Sequence, residues 1–292
     1  MLVLVLGAAA VMPAGAAAIP VTGPHETVDI TTSTTQPDSP AGLTYAATYR
    51  NPTNPNADPP ALRRLVISLP AGTHIDTSVP ARCDASDEEL RVLGDAACPP
   101  GSRVGSGQAT VDIVGLGRMT FNTTLFNAAD QQIELVESGN ALGSYGVVHT
   151  YVHGTTLDGP VPTCLTGGEP PDGCPFDQIT LLSNHLTVLP VTVGAGASQR
   201  SYGSTPPTCP PSGRWQGPVT FYYADGTVET VVMQARCTRP AGSQIGPTTR
   251  TPPHPPRAQS RRRHRHRRSV HWRHRSCRGR HRGPPCSRGT RR

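Results

Sequence analysis

Residues 219–235, VTFYYADGTVETVVMQA, decide the fold of this chain. Two runs rich in β-branched and aromatic residues flank Asp225 and Gly226, a dipeptide typical of a tight hairpin because both residues tolerate positive φ. A two-residue loop predicts one mostly apolar face made of three facing pairs: Tyr223 with Val228, Phe221 with Thr230, and Val219 with Val232. The other face would carry Thr220, Tyr222 and Glu229. The segment therefore predicts an antiparallel hairpin with one face on a core and the other in solvent.

Similar runs recur on the N-terminal side of this hairpin, separated by clusters of Pro, Gly, Asn and Asp. They cover residues 27–35, 43–49, 65–69, 109–114, 119–126, 133–136, 145–152 and 179–193. Such spacing predicts an all-β fold, an antiparallel β-sandwich, over a body of residues 19–238. This body is long enough for one large β domain or for two small ones.

One short helix is predicted within the β-rich body. Ser86 and Glu89 fit a capping box, Asp87 and Glu88 suit the positive end of a helix, and Gly94 supplies a stop.

The cysteines indicate an oxidising compartment. Six lie in the body: Cys83, Cys98, Cys164, Cys174, Cys209 and Cys237. Six cysteines allow 15 connectivities, and the short separations favour pairing of nearest neighbours. We therefore expect the disulfides Cys83 with Cys98, Cys164 with Cys174, and Cys209 with Cys237. Cys277 and Cys286 would be left for each other.

The first 18 residues are apolar or small, and they predict a cleaved signal peptide. The alternative, a membrane anchor, needs roughly 20 apolar residues. All 27 basic residues are arginine, a bias that a GC-rich bacterial genome produces. The expected location is secreted, extracellular or associated with the cell wall.

The charge is divided unevenly along the chain. Residues 1–250 carry 12 arginines against 20 acidic residues, a net charge of −8, whereas residues 251–292 carry 15 arginines and no acid. Residues 239–256 form a Pro-rich linker and residues 257–292 an Arg/His-rich tail, neither of which can bury apolar surface, so both are expected to be disordered.

The tail predicts binding to polyanions such as anionic cell-wall polymers, nucleic acid or anionic lipid, without sequence preference. The candidate residues are Arg261, Arg262, Arg263, Arg265, Arg267, Arg268, Arg273 and Arg275. The same composition is what GC-rich DNA encodes when read out of frame. The tail is therefore open to two interpretations, a binding segment or an unselected extension produced by a frameshift.

Several motifs resemble those of uncharacterised secreted proteins of high-GC actinobacteria. They are CDASDEEL at 83–90, CP at 98–99, GSRVGSG at 101–107, CP at 209–210, SGRW at 212–215 and YADGT at 223–227. The resemblance covers most of the body but not the tail. It implies secretion and a β-rich fold, and it transfers no catalytic residue.

His149 and His153 are the most evident candidate metal ligands. They lie four residues apart in a predicted strand, about 13 Å, which is too far to share one metal, so we expect surface histidines. Asp38, Asp58, Asp112 and Asp130 are scattered acids that could form a glycosidase pair only if the fold brought two together.

Trp215 lies beside the predicted Cys209–Cys237 disulfide and is expected to be a core residue rather than a carbohydrate platform. No nucleophile elbow occurs, and the cysteine spacings are too wide for a Cys-x-x-Cys site. The sequence predicts no catalytic, cofactor-binding or metal-binding residue.

The leading interpretation is a secreted, non-enzymatic structural or binding protein of the cell surface. One alternative is a secreted hydrolase that acts on cell-wall polysaccharide through loop carboxylates. Another is a secreted ligand carrier, which needs a closed barrel and an apolar cavity. The low content of aromatic residues, 4%, argues mildly against the carrier.

Overall fold

The computed structural model describes residues 18–129, 132–138, 145–164 and 178–239. Its strands are β1 Val21–Thr22, β2 Glu26–Thr32, β3 Leu43–Tyr49, β4 Leu62–Ser68, β5 His74–Ile75, β6 Arg103–Ile113, β7 Gly117–Asn127, β8 Gln132–Ser138, β9 Tyr145–His153, β10 Thr156–Pro160, β11 Ile179–Val188, β12 Thr192–Val193, β13 Arg200–Ser201, β14 Gly203–Ser204, β15 Arg214–Tyr223 and β16 Val228–Arg236. Helix α1 is Asp87–Leu93, and short 3₁₀ turns occupy Gly94–Ala97, Pro100–Ser102 and Gly196–Ser198.

Twelve of these strands form one antiparallel sheet in the order β1-β2-β3-β11-β6-β7-β8-β9-β10-β4-β15-β16. The sheet folds back on itself, so that β16 lies beside β2 at a seam. The predicted all-β antiparallel fold with one short helix is confirmed, and its two facing layers come from a single folded sheet. Strand β10 at Thr156–Pro160 was not predicted.

The largest core cluster joins the two layers across the seam. Val28 and Tyr45 from β2 and β3 pack with Phe221 and Met233 from β15 and β16. Phe221 has no accessible surface. Since aliphatic and aromatic side chains from both ends of the sheet share this cluster, burial of apolar area stabilises the folded-back sheet.

The hairpin that decides the fold is confirmed, but its predicted register is wrong by one residue on β16. Its loop has three residues, with Gly226 at φ +88°, and Tyr223 N–H donates to Thr227 O at 2.9 Å. A glycine at positive φ is typical of such three-residue loops. The observed Cα partners are Val219 with Val231, Phe221 with Glu229, and Tyr222 with Val228.

This slip exchanges the two faces of β16. Val231, Met233 and Ala235 lie in the core, while Val228 and Val232 are 56% and 47% exposed. Glu229, predicted to face solvent, lies on the inner face instead.

The predicted helix is confirmed together with its capping box. Ser86 Oγ accepts from the Glu89 backbone N–H, Ser86 N–H donates to the Glu89 carboxylate, and Gly94 ends the helix. The disulfide Cys83–Cys98 spans 15 residues and contributes about 3 kcal/mol by restricting the unfolded chain. Both cysteines pack with Leu90 of α1 on the outside of the sheet.

The disulfide Cys209–Cys237 is also confirmed, and it clasps the base of the hairpin. Trp215 is only 2% exposed, packs with this disulfide and donates its indole N–H to Thr208 O at 2.8 Å. Trp215 is therefore a core residue, as predicted. Cys174, Cys277 and Cys286 lie outside the described residues, so their pairings stay predictions.

Candidate functional site

A cavity of about 190 Å³ lies between the two layers of the sheet. Most of its lining side chains are aliphatic, and Tyr45 and Phe121 add two aromatic rings. The lining comes largely from strands β3, β4, β6, β7, β8, β9, β10 and β11. Natural cores rarely contain a void larger than a water molecule. A void of this size is therefore a candidate ligand site.

The cavity exists because small residues occupy the inner face where bulky ones would fill it. Ala109 on β6, Gly146 on β9 and Gly159 on β10 all line the cavity. Around them, Leu135 and Leu181 supply branched side chains, and Phe121 and Tyr45 supply rings.

One carboxyl group lies in this apolar lining. Glu137 is on β8, next to Gly146 of β9 in the strand register, and a Cβ placed on Gly146 would meet Glu137 Oε2 at 3.7 Å. Burial raises the pKa of Glu137 from 4.5 to about 7. A carboxyl group titrating near neutral pH in a cavity is typical of a binding or active site.

Two more polar side chains line the cavity, Asn184 on β11 and Thr150 on β9. Asn184 Oδ1 is buried and accepts no hydrogen bond. An unsatisfied buried acceptor costs roughly 1–3 kcal/mol. A ligand that donated a hydrogen bond to this oxygen would recover part of that cost.

A second cavity of about 70 Å³ adjoins the first. The two share the lining residues Leu43, Ile133, Leu157 and Val188. Tyr202 lines the second cavity, and its hydroxyl is buried without a hydrogen-bond partner among the described residues.

A cluster of ionisable side chains holds the seam between β2 and β16. His25 Nδ1 lies 2.6 Å from Glu229 Oε1, and the His25 backbone N–H donates to Glu229 Oε2 at 3.2 Å. Tyr223 Oη donates to Glu26 Oε2 at 2.9 Å. Glu26 has no accessible surface, and Gly23 leaves room for it, because a Cβ at Gly23 would meet Glu26 Oε1 at 2.1 Å.

The two carboxyl groups of the seam cluster differ in acidity. Burial, followed by the nearby Glu229 carboxyl group, raises the pKa of Glu26 from 4.5 to about 7. Glu26 Oε1 itself is buried without a hydrogen-bond partner among the described residues. Burial would also raise the pKa of Glu229, but hydrogen bonds with Glu26 and His25 outweigh it and lower the pKa. Two carboxyl groups in contact favour one proton between them, and here Glu26 holds it.

The hydrolase alternative needs two carboxyl groups that a polysaccharide can reach. Glu26 lacks accessible surface, so a substrate cannot contact it. Asp38 and Asp58 are exposed in different loops, and Asp112 lies near the end of β6. Among the described residues no hydrogen bond joins any two of these three acids, and Asp130 lies outside them.

The two histidines lie on a strand, as predicted. His153 is exposed, whereas His149 Nε2 lies 2.9 Å from Asp87 Oδ1 and connects β9 to helix α1. Within the described ranges no cluster of three or more His, Cys, Asp or Glu side chains could hold a metal.

The sequence of β8 contains a signal that places Glu137 on the inner face. Ile133 and Leu135 alternate with polar residues, and continuing this alternation puts Glu137 on the apolar face. Asn184 was harder to predict, because a bulge between Leu181 and Ser183 reverses the alternation along β11. The tail arginines 261–275 lie outside the described residues.

Comparison with protein families, with curated proteins and with solved structures found no match to this chain. In the part of the chain that the structure describes, no helix is long and apolar enough to cross a membrane. The two disulfides indicate folding in an oxidising environment.

Proposed function

We propose that this chain is a secreted, non-enzymatic binding protein that holds a small apolar molecule inside its folded sheet. The observation that carries the proposal is the 190 Å³ cavity with its aliphatic lining. Ligand sites are concave, mostly apolar and provided with a few polar groups, and Glu137, Asn184 and Thr150 supply such groups here. The apolar leader and the disulfides support secretion.

The size of the cavity limits the ligand. An engineered apolar cavity of about 150 Å³ takes up benzene. The present cavity therefore suits a molecule of one ring with a small substituent, or an aliphatic molecule of similar volume.

Toluene tests this proposal without any assumption about the natural ligand. We expect saturable binding of toluene to the full chain, with changes in the methyl NMR signals of Leu135, Val148 and Leu181, which line the cavity. The methyl signals of Val92 should stay unchanged, because Val92 is exposed on helix α1. Equal shifts at all these methyl groups, or none, would count against a specific cavity site.

The basic tail supports a second proposal, retention on an anionic wall polymer. The charge of residues 251–292 favours this retention, because the segment contains 15 arginines and no acidic residue. The full chain should bind immobilised polyphosphate and release it as salt is raised. A variant with the eight candidate arginines replaced by glutamine should be released at a lower salt concentration, because only seven of the 15 arginines remain in residues 251–292. Equal retention of both proteins would remove the tail from the proposal.

A further inference from the structure

We propose that the cavity selects an apolar molecule whose polar head, a hydroxyl or an amine, donates hydrogen bonds. This inference rests on the proposed function and extends it. The cavity would reject the same molecule with a carboxylate head. The polar groups that line the cavity, and the absence of a cation among the described lining residues, carry this inference.

Two of the side chains that line the cavity, Asn184 and Glu137, offer oxygen acceptors to a ligand. Asn184 Oδ1 is buried without a donor, and Glu137 presents a carboxyl group to the cavity. Thr123, which lies opposite Glu137 on β7, also has a buried hydroxyl without a partner, although it does not line the cavity. A ligand hydroxyl or amine can donate to the oxygens of Asn184 and Glu137, and the bond to Asn184 Oδ1 adds affinity because that buried acceptor has no other partner among the described residues.

A carboxylate head would meet no compensating charge. No arginine or histidine is among the described residues that line the cavity, whose titratable groups are Glu137 and Tyr45. Burial of an ionised carboxylate without a partner is strongly unfavourable. The charge of Glu137 would add repulsion at the same place.

Glu137 also gives the selection a pH dependence. Two residues face Glu137 from the neighbouring strands, Thr123 of β7 and Gly146 of β9, and neither carries a charge. Since the pKa of Glu137 is about 7, the group is ionised at pH 8 and accepts hydrogen bonds only. An amine should therefore bind more tightly at pH 8 than at pH 6.

Four ligands with the same ring and different heads test the inference: toluene, benzyl alcohol, benzylamine and benzoate. They would be titrated calorimetrically into the full chain at pH 8. We expect benzyl alcohol and benzylamine to bind at least as tightly as toluene. Benzoate should bind at least about 100-fold more weakly, because its charge is buried without a partner.

The variant Glu137→Gln separates the carboxyl group from the shape of the cavity. We expect the affinity for benzylamine to fall at least about 10-fold relative to the affinity for toluene, and its pH dependence to be lost. The matched control is Asp112→Asn, because Asp112 lies on the outer face of β6 and should leave all four affinities unchanged. Retained toluene binding also shows that the variant is folded.

The outcomes distinguish the inference from the proposed function. If toluene and the other three ligands all fail to bind the natural chain, the proposed function is wrong. If toluene binds but benzoate binds equally well, or Glu137→Gln changes nothing, the cavity is a binding site without the proposed selectivity.

Discussion

The variant Ala109→Phe should lower the affinity for toluene at least about 100-fold while leaving the fold intact, a loss of about 2.7 kcal/mol. Ala109 lies on β6 with Phe121 and Asn184 as its neighbours on adjacent strands, and its side chain faces the cavity. A phenyl ring at this position would occupy the space that a ligand ring needs.

The same substitution should not destabilise the protein. A larger side chain in a well-packed core usually costs about 1–3 kcal/mol. Here the added ring enters an existing void and buries apolar area, so the free energy of unfolding should stay equal or rise. Chemical denaturation of both proteins would measure this difference.

A matched control is available one residue further along the same strand. Thr110 lies on the outer face, where its hydroxyl is 3.0 Å from that of Thr120. Thr110→Phe adds the same ring outside the cavity and should bind toluene like the natural chain. Equal toluene affinities for the 109 and 110 variants would mean that toluene binds elsewhere.

The second large effect concerns stability against pH. Because the pKa of Glu26 is raised from 4.5 to about 7, the folded state keeps a proton that the unfolded chain has lost. The free energy of unfolding should therefore fall as pH rises from 4.5 to 7, and level off above. Glu137 acts in the same direction over the same range.

The variant Glu26→Gln should remove part of this fall, about 1–3 kcal/mol. Glutamine keeps the shape of the protonated acid, its carbonyl accepts from Tyr223, and its amide can donate to Glu229. The variant should match the natural chain at pH 4.5 and exceed it in stability above pH 7. Urea denaturation between pH 4 and 8 measures both curves.

Glu88→Gln serves as the control for this experiment, because Glu88 is exposed on helix α1. Its curve should run parallel to that of the natural chain. An unchanged slope in Glu26→Gln between pH 4.5 and 7 would show that Glu26 does not hold the proton of the seam cluster.

The local features of the fold could be predicted from the sequence because their causes are local. The capping box of Ser86 and Glu89 and the disulfides Cys83–Cys98 and Cys209–Cys237 depend on residues close together in the chain. The closed arrangement of the sheet depends on contacts between β2 and β16, about 200 residues apart, and no local pattern encodes those contacts.

The one-residue error in the register of the hairpin explains why the seam cluster could not be predicted. A two-residue loop and a three-residue loop both suit Asp225 and Gly226, and the choice decides which face of β16 is buried. The wrong choice put Glu229 in solvent, so its contacts with His25 and Glu26 could not be expected. The register of a strand must therefore be known before its polar residues can be assigned to a face.

Considered alone, the low content of aromatic residues argues mildly against a ligand carrier. In this fold, however, the low aromatic content does not prevent an internal cavity. Phe121 and Tyr45 line the cavity together with Leu135, Leu181 and the small residues Ala109 and Gly146, and the space between them stays unfilled. A low content of aromatic residues is therefore compatible with an internal space in this sheet.

The most direct test of an apolar ligand site is a crystal structure of the protein under xenon pressure, since dry apolar cavities bind xenon. The expected result is a xenon atom in the space bounded by Phe121, Leu135 and Leu181, with the surrounding strands unmoved. A cavity that is closed by neighbouring side chains, or that takes up no xenon while surface sites do, would contradict the proposed function.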